Sequence, residues 1–236
     1  MDRFFYAPPE SFSDNGDIIL PPDEARHAVK VLRLQSGDRV TVVNGQGLAA
    51  KVQIVRVDRS EVLGQVISTE QDLGEPPWNL TIGLALLNQH RRYDLFLEKA
   101  VELGVTKIIP LITDRTQSRT WREDRAVQVM IAAMKQTHRS KLPALYPVTS
   151  FRDAVQEGTL IADPNAELTI LREIESMGDS MTFLIGPEGG FTDQERQCAI
   201  DHGGRLVRLG SQCLRAETAA ICCAALMMLN DYQIDH

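Results

Sequence analysis

Apolar and polar residues alternate in three stretches near the start of the chain: DRVTVVNG (38–45), LAAKVQIVRV (48–57) and EVLGQVIS (61–68). A period of two, rich in Val and Ile and punctuated by Gly and Asp, predicts short strands of a small sheet or barrel. One helix interrupts them, PPDEARHAVKVLR, with Pro22 placed to open it because a first helical turn has no use for the missing amide hydrogen. EQDLGEPPW (70–78) reads as a linker, so the chain divides into residues 1–73 and 74–236. Beyond it the rhythm becomes strand, then helix, repeated. LTIGLALL is a buried strand, and RRYDLFLEKAVELG sets Tyr93, Phe96, Leu97, Ala100 and Val101 on one helical face and closes on Gly104. KIIPLIT, REDRAVQVMIAAMKQT, TLIAD, MTFLIG and GRLVRLG continue the alternation. The predicted fold class is therefore α/β with a largely parallel sheet, and such sheets bind ligands at the carboxyl ends of their strands.

Two loops fall at those ends. The first, in FLIGPEGGFTDQE (183–195), has the strand, glycine turn and helix start of an anion cradle. Its spacing is wrong for phosphate: no lysine follows the glycines as G-x-x-x-x-G-K-[ST] requires, and G-x-G-x-x-G is absent. Glu188 would also repel a phosphate by about 1 kcal/mol or more at contact distance. The loop suits a neutral or cationic ligand, or else it is a plain strand-to-helix connection capped by Thr192 and Glu195. The second loop, LGSQCLRAETAA (209–220), places Arg215 and Glu217 before TAAICCAALMML, a run apolar almost all round and so predicted to be deeply packed. Charges at such an entrance need partners. Either the two pair with one another or cap the helix, or both loops close on one ligand.

Charge changes the picture further. The net charge is −7, yet residues 89–141 carry 11 Lys+Arg against 6 Asp+Glu, while residues 142–236 carry 6 against 14. A basic segment in an acidic protein is either a solvated helix face or the footprint of phosphate binding. Four cysteines without C-x-x-C read as buried reduced thiols, and five histidines without an H-x-x-x-H pair give no sign of a metal site. The apolar runs are too short for a membrane span, and MDRFFYAPPE lacks the plan of a signal peptide, which points to a cytoplasmic protein.

IGPEGGF and LG(x)4RAETA, with EKAVELGVTKIIPLITDR, MKQTHRSKLP, the opening RFFY and HAVKVLRLQSGD, resemble the RsmE family of 16S rRNA uridine-N3 methyltransferases over nearly the whole chain. The resemblance implies a PUA-like RNA-binding β-barrel over 1–73 and a SPOUT domain with a trefoil knot over 74–236. It further implies a homodimer using S-adenosylmethionine, with 16S rRNA in the assembled small subunit as partner and neither metal nor membrane. A sulfonium donor is compatible with carboxylates such as Glu188 and Glu217. The implied cofactor pocket is Ile185, Gly186, Pro187, Glu188 and Gly189, then Leu209, Gly210, Leu214, Arg215, Ala216 and Thr218.

Methylation at N3 of uracil requires an unpaired base and loss of the N3 proton. An arginine near O2 or O4 would stabilise the anion, and Arg215, Arg115 and Arg139 lie in matched motifs; Glu217 is the expected base. The expected RNA contacts are Arg3, Arg33, Arg91, Arg92, Arg115, Arg119, Arg122, Arg125 and Arg139. One departure stands out. Gln89 and His90 occupy the places of the family's usual Lys-Gly pair, so Arg91 or Arg92 is the substitute cation. Rival readings are a noncatalytic ribosome-assembly factor and a tRNA methyltransferase of the same fold.

Overall fold

The computed structural model describes residues 3–58, 61–174 and 178–234. They form two units, one running to Glu75 and including Ile131–Leu142, the other comprising Pro76–Met130 and the chain from Pro143 onward.

The first unit holds a five-stranded sheet. Strands β3 (Arg39–Val43), β4 (Leu48–Val57) and β5 (Val62–Gln71) are the three alternating stretches, paired antiparallel. Two strands that periodicity did not reveal complete it: β1 (Phe4–Tyr6) lies parallel to β3, and β2 (Asp17–Ile19) pairs with β5. At three residues each they are too short to display a period. Helix α1 (Pro22–Lys30) starts at the expected proline and buries Ala25 and Ala28 against Phe5, Ile18, Val42 and Ile54. Residues 131–142 join this unit through Glu75. Its carboxylate accepts the backbone amides of Ser140 and Lys141 at 2.9 and 2.7 Å and pairs with Arg139 at 2.7 Å, and the ring of His138 stacks on Phe4.

The second unit is built on a parallel sheet, ordered β12 (Arg205–Val207), β10 (Leu160–Ala162), β11 (Ser180–Ile185), β6 (Asn79–Ala85), β7 (Lys107–Ile112) and β8 (Ala144–Leu145), with β9 (Thr149–Ser150) also on β7. Its central strands are nearly continuous apolar runs because helices cover both faces, as an all-parallel sheet requires. These helices are α2 (His90–Glu102), α3 (Glu123–Thr137), the short α4 (Phe151–Ala154) and α5 (Ile170–Ile174), α6 (Asp193–Asp201) and α7 (Ala216–Ile234); the part of α3 beyond Met130 belongs to the first unit. Helix α2 buries the five residues expected from its period, and α7 packs on α2, β6 and β11.

Two expectations need correction. Helix α7 is not packed all round: Ala220, Cys223, Ala224 and Met227 are buried, but Met228 and Leu229 are 40% and 56% exposed. Of the four free cysteines only Cys223 is buried, and Cys213 is exposed. Among the described residues no helix is long and apolar enough to cross a membrane.

Helix α2 stops where Gly104 turns to φ +80°, and a Cβ there would lie 3.0 Å from Trp78 Cζ2 and 3.2 Å from Pro76 Cγ. Left-handed backbone costs an L-residue about 1–2 kcal/mol, so Gly104→Ala should lower the thermal midpoint by about 2–8 °C. An unchanged midpoint in a melting experiment would show that this turn sets no constraint.

Candidate functional site

Because the sheet is parallel, every strand delivers its carboxyl end to the same edge, where the chain forms a cleft of about 600 Å³. Five strands supply its walls: Gln89 and Arg92 after β6, Arg115 after β7, Ala162 to Asn165 after β10, Ile185 to Phe191 after β11, and the loop after β12 with the start of α7. Ile185, Gly186, Pro187, Glu188, Gly189, Leu209, Gly210, Leu214, Arg215 and Ala216 all line it. Thr218, the remaining residue expected there, is exposed and is not part of the lining.

The loops are tied to one another by charged groups. Thr192 and Glu195 form the capping box of α6, and Glu195 also accepts the Asp114 amide at 2.8 Å, which fastens the turn after β7 to the helix. Arg115 reaches across to the carbonyl oxygens of Gly189 and Phe191 at 2.6 and 3.3 Å. A Cβ on Gly189 would stand 3.3 Å from Arg115 Cδ, so this glycine makes room for the arginine rather than for a ligand. A Cβ on Gly210 would meet nothing within 4 Å; here the open space belongs to the cleft. Asp163, buried at the end of β10, pairs with Arg196 at 3.1 Å.

The strongest tie centres on Arg92. Its Nε donates to Glu217 Oε1 at 2.8 Å, its Nη2 to Glu217 Oε2 and its Nη1 to Glu188 Oε1. Glu217 is therefore held by α2, not by Arg215. Burial acts to raise the Glu217 pKa, but the hydrogen bonds and charge of Arg92, helped by its own backbone and by Arg215, bring it below the ordinary carboxylate value. The hydrogen bond to Glu217 in turn raises the pKa of Arg92.

These contacts revise several expected roles. Glu217, expected as the base, has both oxygens bonded to Arg92 and a lowered pKa. Arg92, expected to contact RNA, is occupied by two carboxylates. Arg139 is buried against Glu75 in the first unit and is absent from the cleft lining. Arg91, Arg115, Arg119, Arg122 and Arg125 are exposed, as are Arg33 and Arg3, the last two in the first unit. Arg125 pairs with Asp94 and Arg3 with Asp38, both at 3.3 Å. Sequence reading missed Asp163, Arg196 and the anchoring of Glu217; a buried-strand end carrying an aspartate, TLIAD, was the one available signal.

Both parts of this arrangement, the parallel sheet with glycine loops at its carboxyl edge and the small β unit before it, match families of RNA methyltransferase domains. Residues 74–228 match the family model of the RNA methyltransferase domain, and residues 20–67 that of the RNA methyltransferase PUA domain. The chain is 32% identical to ribosomal RNA small subunit methyltransferase E of Rickettsia conorii, over 92% of this chain and 91% of that protein. It is 25% identical to the protein of the same name from Bacillus subtilis, over 94% and 93%. The crystal structure of a ribosomal RNA small subunit methyltransferase E from Neisseria gonorrhoeae bound to S-adenosyl methionine superposes with a TM-score of 0.87 at 30% identity, covering 97% of this chain and 98% of that one. The chain belongs to the ribosomal RNA small subunit methyltransferase E family.

The Arg92 link generates a pH test. Because the Glu217 pKa is lowered on folding, its contribution is full above about pH 4.3 and is lost as pH falls through the folded-state value. In Arg92→Leu the largest of the lowering influences is gone, only the Glu217 backbone and Arg215 still oppose burial, and the stabilisation gained as pH rises through the folded-state value shrinks. The variant should lose about 3 kcal/mol at neutral pH and much less in acid. Melting curves across this range check it; a gap independent of pH would assign the stabilisation elsewhere.

Proposed function

We propose that this protein methylates N3 of a specific uridine in 16S ribosomal RNA, with S-adenosylmethionine as methyl donor. The observation that carries the reading is the cleft itself, walled by loops from five strand ends in a domain that matches the RNA methyltransferase family. Its volume of about 600 Å³ is that of a small-molecule site. Much of the wall is backbone, and the Glu188 carboxylate, paired with Arg92, stands on it as a group compatible with a sulfonium cation. The residues thus fit S-adenosylmethionine, which when bound supplies a methyl group on a sulfonium cation.

Arg215 is exposed on the cleft wall and has the reach and charge to act on the nucleobase. In this reading its guanidinium donates to a carbonyl oxygen of the flipped uracil and stabilises the negative charge that develops as the N3 proton leaves. Arg115 is a positioning residue, since its guanidinium holds the glycine loop by two carbonyl groups. Arg91, Arg119, Arg122 and Arg125 offer exposed charge to the RNA backbone.

The reading includes a small β unit and a parallel-sheet domain meeting near residue 73, a trefoil-knotted SPOUT connection, a homodimer, a cytoplasmic setting and the assembled small subunit as substrate. Support for the homodimer comes from α7, whose outward Met228 and Leu229 leave an apolar face that a second copy would cover.

Small subunits from cells lacking this activity should accept methyl groups from the purified protein, and mass mapping should place them on N3 of one uridine. At about 100 times its Kd the cofactor should stabilise the fold by roughly 2.7 kcal/mol. No transfer and no stabilisation together would favour a noncatalytic assembly factor, and transfer to tRNA alone would move the substrate.

Gly210→Val should weaken S-adenosylmethionine binding about tenfold or more in calorimetry, with little change in melting temperature, because the added atoms meet only the cleft. Unchanged affinity would take the loop after β12 out of the pocket. Arg215→Lys should slow single-turnover transfer by about 10² to 10³ while cofactor affinity is kept, since lysine retains the charge but loses the planar fork. A normal rate in that variant would exclude the assigned role.

A further inference from the structure

On the other side of the first turn of α2 from the cleft lies a second cavity of about 110 Å³. Gln89 and Arg92 face the cleft, whereas His90, Tyr93 and Asp94 line this cavity, so one helical turn separates the two. One part of its wall is apolar and aromatic, Leu86, Leu87 and Leu97 with Tyr93, against which Trp121 packs edge to face at a centroid distance of 5.1 Å; His90, Thr120 and the charged Asp94, Arg122 and Arg125 supply the rest.

One polar atom in this wall is unaccounted for. The Nε1–H of Trp121 is buried and, like that of Trp78, which lies outside this cavity, has no acceptor among the described residues. The neighbouring hydroxyl of Tyr93 is already used, donating to the Leu84 carbonyl at 3.2 Å. Buried donors are nearly always matched, so an occupant that brings an acceptor explains the indole better than a purely structural role does. At the rim Asp94 is neutralised by Arg125, while Arg122 is exposed and has no ion-pair partner among the described residues. The cavity therefore asks for a flat apolar ring with an acceptor on its edge and an anion outside. An enclosed cavity of about 150 Å³ holds one benzene ring, so this smaller, open-sided one matches a single six-membered ring and is too small for a purine.

We propose that this cavity is a second base subsite, which takes an unpaired pyrimidine of the RNA lying next to the uridine presented to the cleft. A carbonyl oxygen of that pyrimidine accepts the Trp121 Nε1–H, and its phosphate meets Arg122. This rests on the reading of the cleft as the site of RNA methylation, and it gives the enzyme a means of sensing sequence context beside its target.

The chain has two tryptophans, so the indole region of a ¹⁵N-correlated NMR spectrum of the intact protein reads the site directly once Trp121→Phe assigns the peaks. Uridine 5′-monophosphate should shift the Trp121 indole peak and leave that of Trp78 in place, and adenosine 5′-monophosphate should do neither. Trp121→Phe and Arg122→Gln should each raise the KM for small-subunit RNA about tenfold, with S-adenosylmethionine affinity retained. If Trp121→Phe fails to fold, the exposed Arg122→Gln carries the kinetic arm. A Trp121 peak unmoved by pyrimidine nucleotides, an equal response to the purine, or unchanged KM values would overturn the proposal. The spectrum reads binding without methyl transfer, so a pyrimidine-specific shift in a protein that transfers no methyl group would sink the reading of the cleft, and with it the place of this base beside a target uridine, and leave only a pyrimidine site beside α2.

Discussion

The candidate site depends on one guanidinium sharing two carboxylates. Arg92 stands on α2, Glu188 in the loop after β11 and Glu217 in the first turn of α7. Removing charges from water is costly, and that cost is met only when each finds a well-placed counter-charge and hydrogen bonds. The planar fork of arginine can satisfy both oxygens of Glu217 and still have a donor for Glu188; a lysine has neither the shape nor the number of donors at fixed angles. The link fixes where α7 begins relative to α2 and so where Leu214, Arg215 and Ala216 stand around the cleft.

Around this link the other ties follow one pattern, in which groups that finish one element also hold the next loop. Glu195 completes the capping box of α6 and grips the backbone of Asp114, and Arg196 on the same helix reaches Asp163 at the end of β10. Arg115 uses backbone carbonyls of the glycine loop as acceptors. The walls of the cleft are thus preorganised by side chains that tie one lining loop to the next, a layout that holds a site's geometry.

Much of this architecture was legible in the chain. The alternating stretches at 38–68, the proline opening α1, the five buried positions of α2 and its end at Gly104 are local signals, set by the period of side chains and by backbone geometry within a few residues. The two loops at 185–190 and 209–218 were legible for a related reason: strand, glycines and helix start follow directly in the sequence. The three-residue strands β1 and β2 were not, because a period needs more residues than they have. Nor was the fate of the basic segment. Composition counts arginines, but Arg139 meets a glutamate 64 residues away and Arg92 one 125 residues away, and no local pattern reports such distances.

By itself, then, the sequence determined the order and type of the long elements, the parallel character of the second sheet, and the two loops that line the cleft, because each of these depends on neighbours in the chain. Tertiary structure alone decided which charges are free and which are spent. It bound both oxygens of Glu217 to Arg92, took Arg92 and Arg139 out of the exposed basic surface, left Met228 and Leu229 of α7 exposed, and set a buried indole N–H, without an acceptor among the described residues, on the other side of α2 from the cleft. The physical reason is that the state of a polar group is set by what surrounds it in space, through desolvation and pairing, and those surroundings exist only once distant segments have packed together.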